Sequence, residues 1–216
     1  MSEPEQTRVL IVDDHPLFRR GVMQLLEMEP GLLAVGEAKS GEEALALAKE
    51  LDPDLILLDL NMSGIGGLEA LKALRAEDID ARIVVLTVSD NEEDIIAALR
   101  AGADGYLLKD MEPEDLLRRL HGAAEGQLVL SEHLTATLAL ALAGDRNTGP
   151  DPLNRLTSRE LEILRQIASG LSNKMIARKL DISEGTVKVH VKHLLKKMNL
   201  RSRVEAAVWA VRQGVK

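Results

Sequence analysis

The chain has 216 residues, enough for two domains that each bury a core of their own. It contains no Cys, which excludes disulfides and thiolate metal sites, and no early apolar run has the flanks of a signal peptide or the length of a bilayer span. We therefore expect a cytoplasmic protein without a membrane partner.

Charge is distributed unevenly along the chain. Residues 153–216 contain 14 Lys and Arg against 5 Asp and Glu, a net charge of +9. Residues 1–152 therefore contain 13 Lys and Arg against 30 Asp and Glu, a net charge of −17, and the whole chain carries −8. This asymmetry predicts a polyanion partner for the C-terminal part alone.

The first part alternates short apolar runs with amphipathic stretches of helical period. The five runs are RVLIVD, LLAVGEA, LILLDL, RIVVLTV and GYLLK. Runs that are apolar on both faces, such as Leu55–Leu58, fit central parallel strands covered by helices. We predict an α/β fold in which residues 1–128 form a doubly wound (βα)5 domain of strand order 2-1-3-4-5, with ligands at the carboxyl ends of the strands.

A linker is predicted over residues 129–152. Residues 131–143 have the pattern of one further helix, whereas residues 144–152 have neither period nor apolar content. The linker therefore divides into a helix and a flexible tether.

Residues 153–216 are predicted to form an all-α domain of four helices. Thr157 and Glu160 have the spacing of a capping box, and Gly170 is placed to end the helix that they open. The other three helices are predicted at about 173–180, 183–198 and 202–212.

Five polar residues stand at the ends of the predicted strands. Asp13 and Asp14 end the first, Asp59 the third, Thr87 the fourth and Lys109 the fifth. Any one Asp is as readily a turn former. Three carboxylates at one switch point would repel one another unless a hard divalent cation such as Mg²⁺ were bound, and the hydroxyl and ammonium groups suit a phosphoryl group.

Over residues 7–125 this pattern resembles the receiver domain of two-component systems. The resemblance implies that Asp59 accepts a phosphoryl group from a sensor histidine kinase. It also implies that Asp13, Asp14 and Asp59, with the backbone carbonyl of Asn61, hold Mg²⁺.

The same resemblance assigns the remaining pocket residues. Lys109 and Thr87 are implied to contact the phosphoryl group. Tyr106 corresponds to an aromatic residue that swings inward when Thr87 is drawn toward phosphate. Ordinary half-buried packing is the alternative for Tyr106.

One position departs from the receiver pattern. Receivers of this type usually have Met-Pro-Gly after the phosphoacceptor, whereas this chain has Met62, Ser63 and Gly64, followed by two more glycines. Proline would fix a backbone angle. We therefore expect a mobile loop and a modest stabilisation on Ser63→Pro.

The segment 173–192 has helix-turn-helix spacing, with a tight turn before Ser183 as N-cap. The second helix of the pair has an apolar stripe for the core and an opposite basic face. Val189 lies at the centre of that face, where it could contact a thymine methyl while Lys188 and Lys192 reach base edges. A merely solvated Lys-rich face is the alternative.

Phosphate contacts are predicted on other residues of this motif. Lys174, Arg178 and Thr186 are placed to contact the DNA backbone, which positions a protein without specifying sequence.

The segments 156–179 and 185–190 resemble the LuxR-type DNA-binding domain, and the whole chain is similar to response regulators of the NarL/FixJ family. Residues 109–117 and 172–178 are closest to its nitrate- and nitrite-responsive members. The resemblance implies a partner histidine kinase and control of anaerobic nitrate-respiration genes. We further expect the chain to bind double-stranded promoter DNA as a homodimer, with RNA polymerase as a candidate partner.

We expect the acidic receiver to dock on the basic helix until Asp59 is phosphorylated, and thereby to hide Val189 from DNA. The last helix presents Val204, Ala207, Val208 and Val211, either for dimerisation or for the core.

Two other functions remain open. The chain could bind DNA constitutively, without control by phosphate. It could also be an aspartyl-phosphate hydrolase, but those enzymes have a second Asp two positions after the nucleophile. Asn61 stands there and cannot transfer a proton, so no enzymatic turnover beyond slow self-dephosphorylation is expected.

Overall fold

The computed structural model describes residues 6–77, 79, 81–125, 129–130, 152–171, 173–200 and 202–215. The predicted helix over 131–143 and the tether over 144–151 lie outside the described residues. No helix among the described residues combines the length and apolar character needed to cross a membrane.

Six parallel strands form the sheet of the N-terminal part. They are β1 (Thr7–Val12), β2 (Leu32–Ala38), β3 (Leu55–Leu58), β4 (Arg82–Thr87), β5 (Gly105–Leu108) and β6 (Val129–Leu130). Their order is β2-β1-β3-β4-β5-β6, which confirms the predicted 2-1-3-4-5 arrangement and adds one strand. Because β6 has only two residues it shows no sequence period, and these residues belong to the sheet rather than to a linker helix.

Five helices cover the two faces of this sheet. They are α1 (Pro16–Glu27), α2 (Gly41–Leu51), α3 (Gly67–Ala76), α4 (Glu92–Ala101) and α5 (Pro113–Glu125). Alternate residues of β1 point to opposite faces of the sheet. Leu10 and Val12 pack with α2, α3 and α4, whereas Val9 and Ile11 pack with α1 and α5. The strands are therefore buried on both faces, as their continuous apolar runs require.

The C-terminal part is all helical and has its own core. After a short 3₁₀ helix (Pro152–Arg155) it contains α6 (Ser158–Ala168), α7 (Asn173–Leu180), α8 (Glu184–Met198) and α9 (Arg203–Arg212). Each predicted helix is confirmed to within one residue at its start. Gly170, just after α6, has φ of +77°, a left-handed conformation that costs glycine little.

An ion pair between a buried carboxylate and a partly exposed lysine joins the start of α6 to α8. The Thr157 hydroxyl accepts from the Glu160 backbone N–H, and the Glu160 carboxylate accepts from the Thr157 N–H, which completes the predicted capping box. Lys197 Nζ lies 2.7 Å from the same carboxylate. Burial acts to raise the pKa of Glu160, but these hydrogen bonds outweigh it and the pKa lies below its ordinary value.

The start of α9 contacts the receiver. Val204 is buried within the receiver core cluster that includes α4. Beside it, burial and then repulsion from Arg82 lower the pKa of Arg203 to about 9, while Asp104 acts in the opposite direction. The predicted stripe on α9 is divided. Val204 and Val208 pack against the receiver core, Ala207 packs against the core of its own domain, and Val211 is 64% exposed.

Gly67 allows α3 to begin directly against the strand end that carries Asp59. A Cβ at this position would lie 1.9 Å from the Asp59 carbonyl oxygen and 2.5 Å from the Leu60 Cα. Both are backbone atoms, which cannot move aside as a flexible side chain could.

We expect Gly67→Ala to lower the free energy of unfolding by about 3 kcal/mol, because backbone must shift to accommodate the methyl group. Gly21→Ala is the matched control: nothing lies within 4 Å of its Cβ position, within α1. That change should raise stability by about 0.5–1 kcal/mol. Urea unfolding followed by circular dichroism measures both, and equal midpoints would contradict the close approach.

Candidate functional site

The predicted polar residues meet at one edge of the sheet. Strands β1 and β3 are in register, with Val12 opposite Leu58, so the residues that follow them lie side by side. Asp13, Asp59 and Thr87 are buried, with exposed fractions of 2%, 1% and 0%. The structure therefore brings together the strand-end residues in the way that the topology predicts.

Lys109 connects two of the carboxylates. Its Nζ lies 2.6 Å from Asp13 Oδ2 and 2.6 Å from Asp59 Oδ2, and its side chain is 9% exposed. Its backbone N–H donates to the Thr87 carbonyl at 2.8 Å, which fixes the start of the side chain. The ammonium offsets the repulsion of two buried acids and lies where it could contact a group bonded to Asp59.

Asp14 is held by the loop that follows β3. Its Oδ2 accepts from the Ser63 backbone N–H at 2.8 Å. This bond, more than the nearby His15 and Lys109 charges, lowers the pKa of Asp14 although burial acts against it. The carboxylate is thus maintained in the charged form that a cation site needs.

The acidic cluster suits a hard divalent cation. Ligand atoms of Asp13, Asp14, His15 and Asp59 all lie within 4.8 Å of one another. Asp14 Oδ1 is buried and accepts no hydrogen bond within the described chain, although His15 Nδ1 is 2.9 Å away. Carboxylate oxygens are the ligands that Mg²⁺ prefers, so the donor set fits this ion. The sequence prediction omitted His15, whose position directly after two Asp residues was the available signal.

Asn61 contacts the pocket through its two kinds of N–H group. Its backbone N–H donates to Asp59 Oδ1 at 3.2 Å, and its side-chain amide donates to the Thr87 hydroxyl at 3.2 Å. The Thr87 hydroxyl therefore accepts a hydrogen bond from a residue that also contacts Asp59. The role of the Asn61 carbonyl as a metal ligand stays a prediction.

Tyr106 is fully buried and linked to Thr87 through Ser89. Its hydroxyl donates to the Ser89 carbonyl at 2.9 Å, and burial raises its pKa to about 12 despite this bond. The Ser89 N–H donates to the Thr87 hydroxyl at 3.4 Å, and the Ser89 hydroxyl donates to Asp94 at 2.6 Å. The full burial of Tyr106 differs from the half-buried packing considered as its alternative, and Ser89 is a link that the sequence did not identify.

The helix-turn-helix has the predicted division of faces. In α8, Val187, Val191, Leu194 and Met198 are buried. Val189 is 52% exposed, and Lys192 and Arg178 are exposed. The Ser183 hydroxyl caps α8 by accepting from the Thr186 N–H at 3.0 Å, while the turn before it contains Asp181 at φ +53°. The side chain of Lys174 lies outside the described residues.

The side of α8 predicted to face DNA bases is turned toward the receiver. Its residues and the receiver together line a cleft of about 740 Å³: Lys72, Arg75, Ala76, Ile79, Ala101, Lys188, Val189, Val191, Lys192, Leu195, Lys196 and Leu200. Both sides of the cleft contribute cations, although Arg75 is paired with Asp104. The charge attraction expected between the acidic receiver and this basic helix stays a prediction.

Specific backbone contacts define the conformation of the loop after Asp59. Gly64 has φ of +82°, Gly67 permits a close backbone approach, and the Ser63 N–H is bonded to Asp14. Mobility of the loop stays a prediction, but proline at position 63 would remove the N–H that holds Asp14.

We now expect Ser63→Pro to lower the free energy of unfolding by about 1 kcal/mol at neutral pH, since the lost hydrogen bond to a charged group outweighs the gain in chain entropy. Ser63→Ala keeps the N–H and is the control. The contribution of Asp14 is present above its unfolded pKa and lost as pH falls through the lower folded pKa, so the difference between variants should shrink in acid. Higher stability of the proline variant in urea unfolding at neutral pH would overturn this sign.

Comparisons with known proteins assign both parts of the chain. Residues 9–121 match the response regulator receiver domain, and residues 154–210 match the bacterial regulatory proteins of the LuxR family. The chain is 59% identical over 215 residues to the nitrate/nitrite response regulator protein NarL of Escherichia coli, covering 100% of both chains. It is 50% identical over 204 residues to a nitrate/nitrite response regulator protein homolog of Haemophilus influenzae, covering 94% of this chain and 96% of the relative.

A solved structure supports the same conclusion. The two-component response regulator RcsB in complex with DNA has a TM-score of 0.57 and 26% identity, covering 94% of this chain and 96% of that chain. With the receiver match covering more than half of the residues, the chain belongs to the family of response regulators that join a receiver domain to a LuxR-type DNA-binding domain.

Proposed function

We propose that this chain is a transcription regulator whose DNA-binding domain is controlled by a phosphoryl group on Asp59. The proposed division is a receiver over 1–128 that β6 (Val129–Leu130) extends, a linker from there to 152, and a DNA-binding domain over 153–216. The observation that carries the proposal is the buried Lys109 ammonium, 2.6 Å from both Asp13 and Asp59. A carboxylate so placed can accept a phosphoryl group with its new charge already opposed.

In the proposed reaction, an Asp59 carboxylate oxygen forms a bond to phosphorus while the donor's bond to phosphorus breaks. The donor is a phosphohistidine of a sensor kinase or a small acyl phosphate. Mg²⁺ held by Asp13, Asp14 and Asp59 would supply charge neutralisation for the phosphoryl oxygens. Lys109 exchanges its contact with Asp59 Oδ2 for a phosphoryl oxygen and keeps its contact with Asp13.

Thr87 and Tyr106 are proposed to change their contacts when Asp59 is phosphorylated. A phosphoryl oxygen competes with Asn61 for the Thr87 hydroxyl, and movement of Thr87 disturbs the Ser89 N–H that donates to it. Because the Tyr106 hydroxyl holds the Ser89 carbonyl, the loop and the aromatic ring respond together. This is a local exchange of hydrogen bonds that can bias a larger arrangement.

The proposed output is exposure of α8. Lys188, Val189 and Lys192 line a cleft with the receiver and cannot enter a major groove in that position. We propose that phosphorylation weakens this contact and frees α8 to bind paired half-sites as a homodimer. Promoter DNA, a sensor kinase and RNA polymerase are the proposed partners.

The close relatives extend the proposal to the regulated genes. Two of them are named for response to nitrate and nitrite. We infer that this chain regulates nitrate-responsive genes of anaerobic respiration. In this proposal the signal enters through the sensor kinase.

Catalytic turnover is disfavoured at the same pocket. Asn61 stands two positions after Asp59 and donates through its amide to Thr87. An amide cannot act as a general acid or base, so the acyl phosphate should persist apart from slow self-dephosphorylation.

Incubation of the full chain with acetyl phosphate and Mg²⁺, followed by intact mass measurement, tests the proposal. We expect one added phosphoryl group, none in Asp59→Asn, and at least tenfold tighter binding to promoter DNA after phosphorylation. Rapid hydrolysis of the donor without a stable adduct would favour a hydrolase instead. Equal DNA affinity before and after phosphorylation would favour constitutive binding.

Two substitutions separate base reading from backbone contact. Lys192→Ala should reduce the preference for promoter over random DNA, because base contacts specify sequence. Arg178→Ala should weaken both DNAs alike and lower the salt dependence by about one phosphate. Fluorescence anisotropy with both DNAs at several salt concentrations measures this, and equal losses for Lys192→Ala on the two DNAs would contradict its role.

A further inference from the structure

Phe18 is the single phenylalanine of the chain and lies against the pocket lysine. The Lys109 Nζ is 4.7 Å from the centroid of its ring. The same Nζ contacts Asp13 and Asp59, so two carboxylates and an aromatic ring surround one ammonium. The hydrogen bonds of the pocket do not explain why an aromatic ring lies beside Lys109.

The position of Phe18 is fixed by the first turn of α1. This helix begins at Pro16, directly after the Asp13 turn, and the half-buried Phe18 packs on the core that α1 shares with α5. Arg19 donates to the Asp13 carbonyl at 2.7 Å and to Glu37 at 3.0 Å, which holds this turn on β1. The ring is thus attached to the same segment that presents Asp13.

We propose that Phe18 is a positioning residue for Lys109. Its ring face carries partial negative charge and attracts an ammonium most strongly where water is excluded. When Asp59 is phosphorylated, the ammonium gives up one of its two carboxylate contacts. The ring keeps Nζ in the pocket during that exchange, so that it meets a phosphoryl oxygen. This inference rests on the proposed phosphorylation of Asp59.

The single phenylalanine permits a direct test of the ring's charge. Growth of a phenylalanine-requiring host on 4-fluoro-, 3,5-difluoro- or 3,4,5-trifluorophenylalanine changes this one position and weakens the negative ring face with little change of shape. The rate of phosphoryl addition from acetyl phosphate with Mg²⁺ is followed by intact mass. We expect a graded fall in rate along the series, reaching about threefold to tenfold.

Natural variants complete the series. Phe18→Leu should lower the rate of phosphoryl addition by a similar factor. Phe18→Tyr keeps the ring face, so its rate should stay within about twofold of the original. Leu17→Ala alters the exposed neighbour on α1 and should have no effect. Melting temperatures of all variants identify any that do not fold. A rate that does not change with fluorination overturns the proposal, even if Phe18→Leu is slow, because packing alone would then explain the leucine variant.

A second measurement does not depend on phosphorylation. The 4-fluoro protein gives one ¹⁹F resonance, and Lys109→Gln should shift it if the ammonium lies against the ring. An unshifted resonance overturns the contact. If the original chain takes up no phosphoryl group while the resonance shifts, the proposed function fails and the Phe18–Lys109 contact stands.

Discussion

The receiver pocket depends on one buried ammonium between two buried carboxylates. Asp13 follows β1, Asp59 follows β3 and Lys109 follows β5, so the contact joins three strands of the sheet at one edge. Such a cluster contributes little net stability, because desolvation offsets attraction. Its effect is on arrangement: without the Lys109 ammonium the two carboxylates would repel each other, and with it the proposed phosphoryl group on Asp59 would meet a positive charge already in place.

Helix α4 provides a physical connection from that pocket to the DNA-binding domain. At its first turn, Asp94 accepts from Ser89, which is bonded to both Thr87 and Tyr106. At its other end, Ala101 lines the cleft that contains the base-facing side of α8. A ten-residue helix spans about 15 Å as a stiff unit, so under the proposed mechanism a change at the Ser89 loop would tilt or shift the whole helix. Val204 of α9 packs in the same core as α4 and would respond to that shift.

The sequence predicted what period and residue type determine. The five βα units, the strand order, the four helices with Thr157 and Ser183 at helix starts, and the meeting of Asp13, Asp59, Thr87 and Lys109 follow from apolar patterning and from the rule that parallel strands end at one edge. Two side-chain contacts of the pocket were not predictable. The ring of Phe18 against Lys109 and the Ser89 link to Tyr106 depend on rotamers and loop paths that no local pattern records.

The loop after Asp59 shows why contacts of backbone groups are not predicted from residue type. Ser63 and three glycines indicated mobility, because the proline of related receivers was missing. The contact that matters is made by the Ser63 N–H, which every residue except proline has, and it holds Asp14. Gly67 is required by the Asp59 carbonyl, which leaves no room for a Cβ. The absence of proline therefore does not imply a looser metal site, since the same change supplies a donor that keeps one of its carboxylates charged and in place.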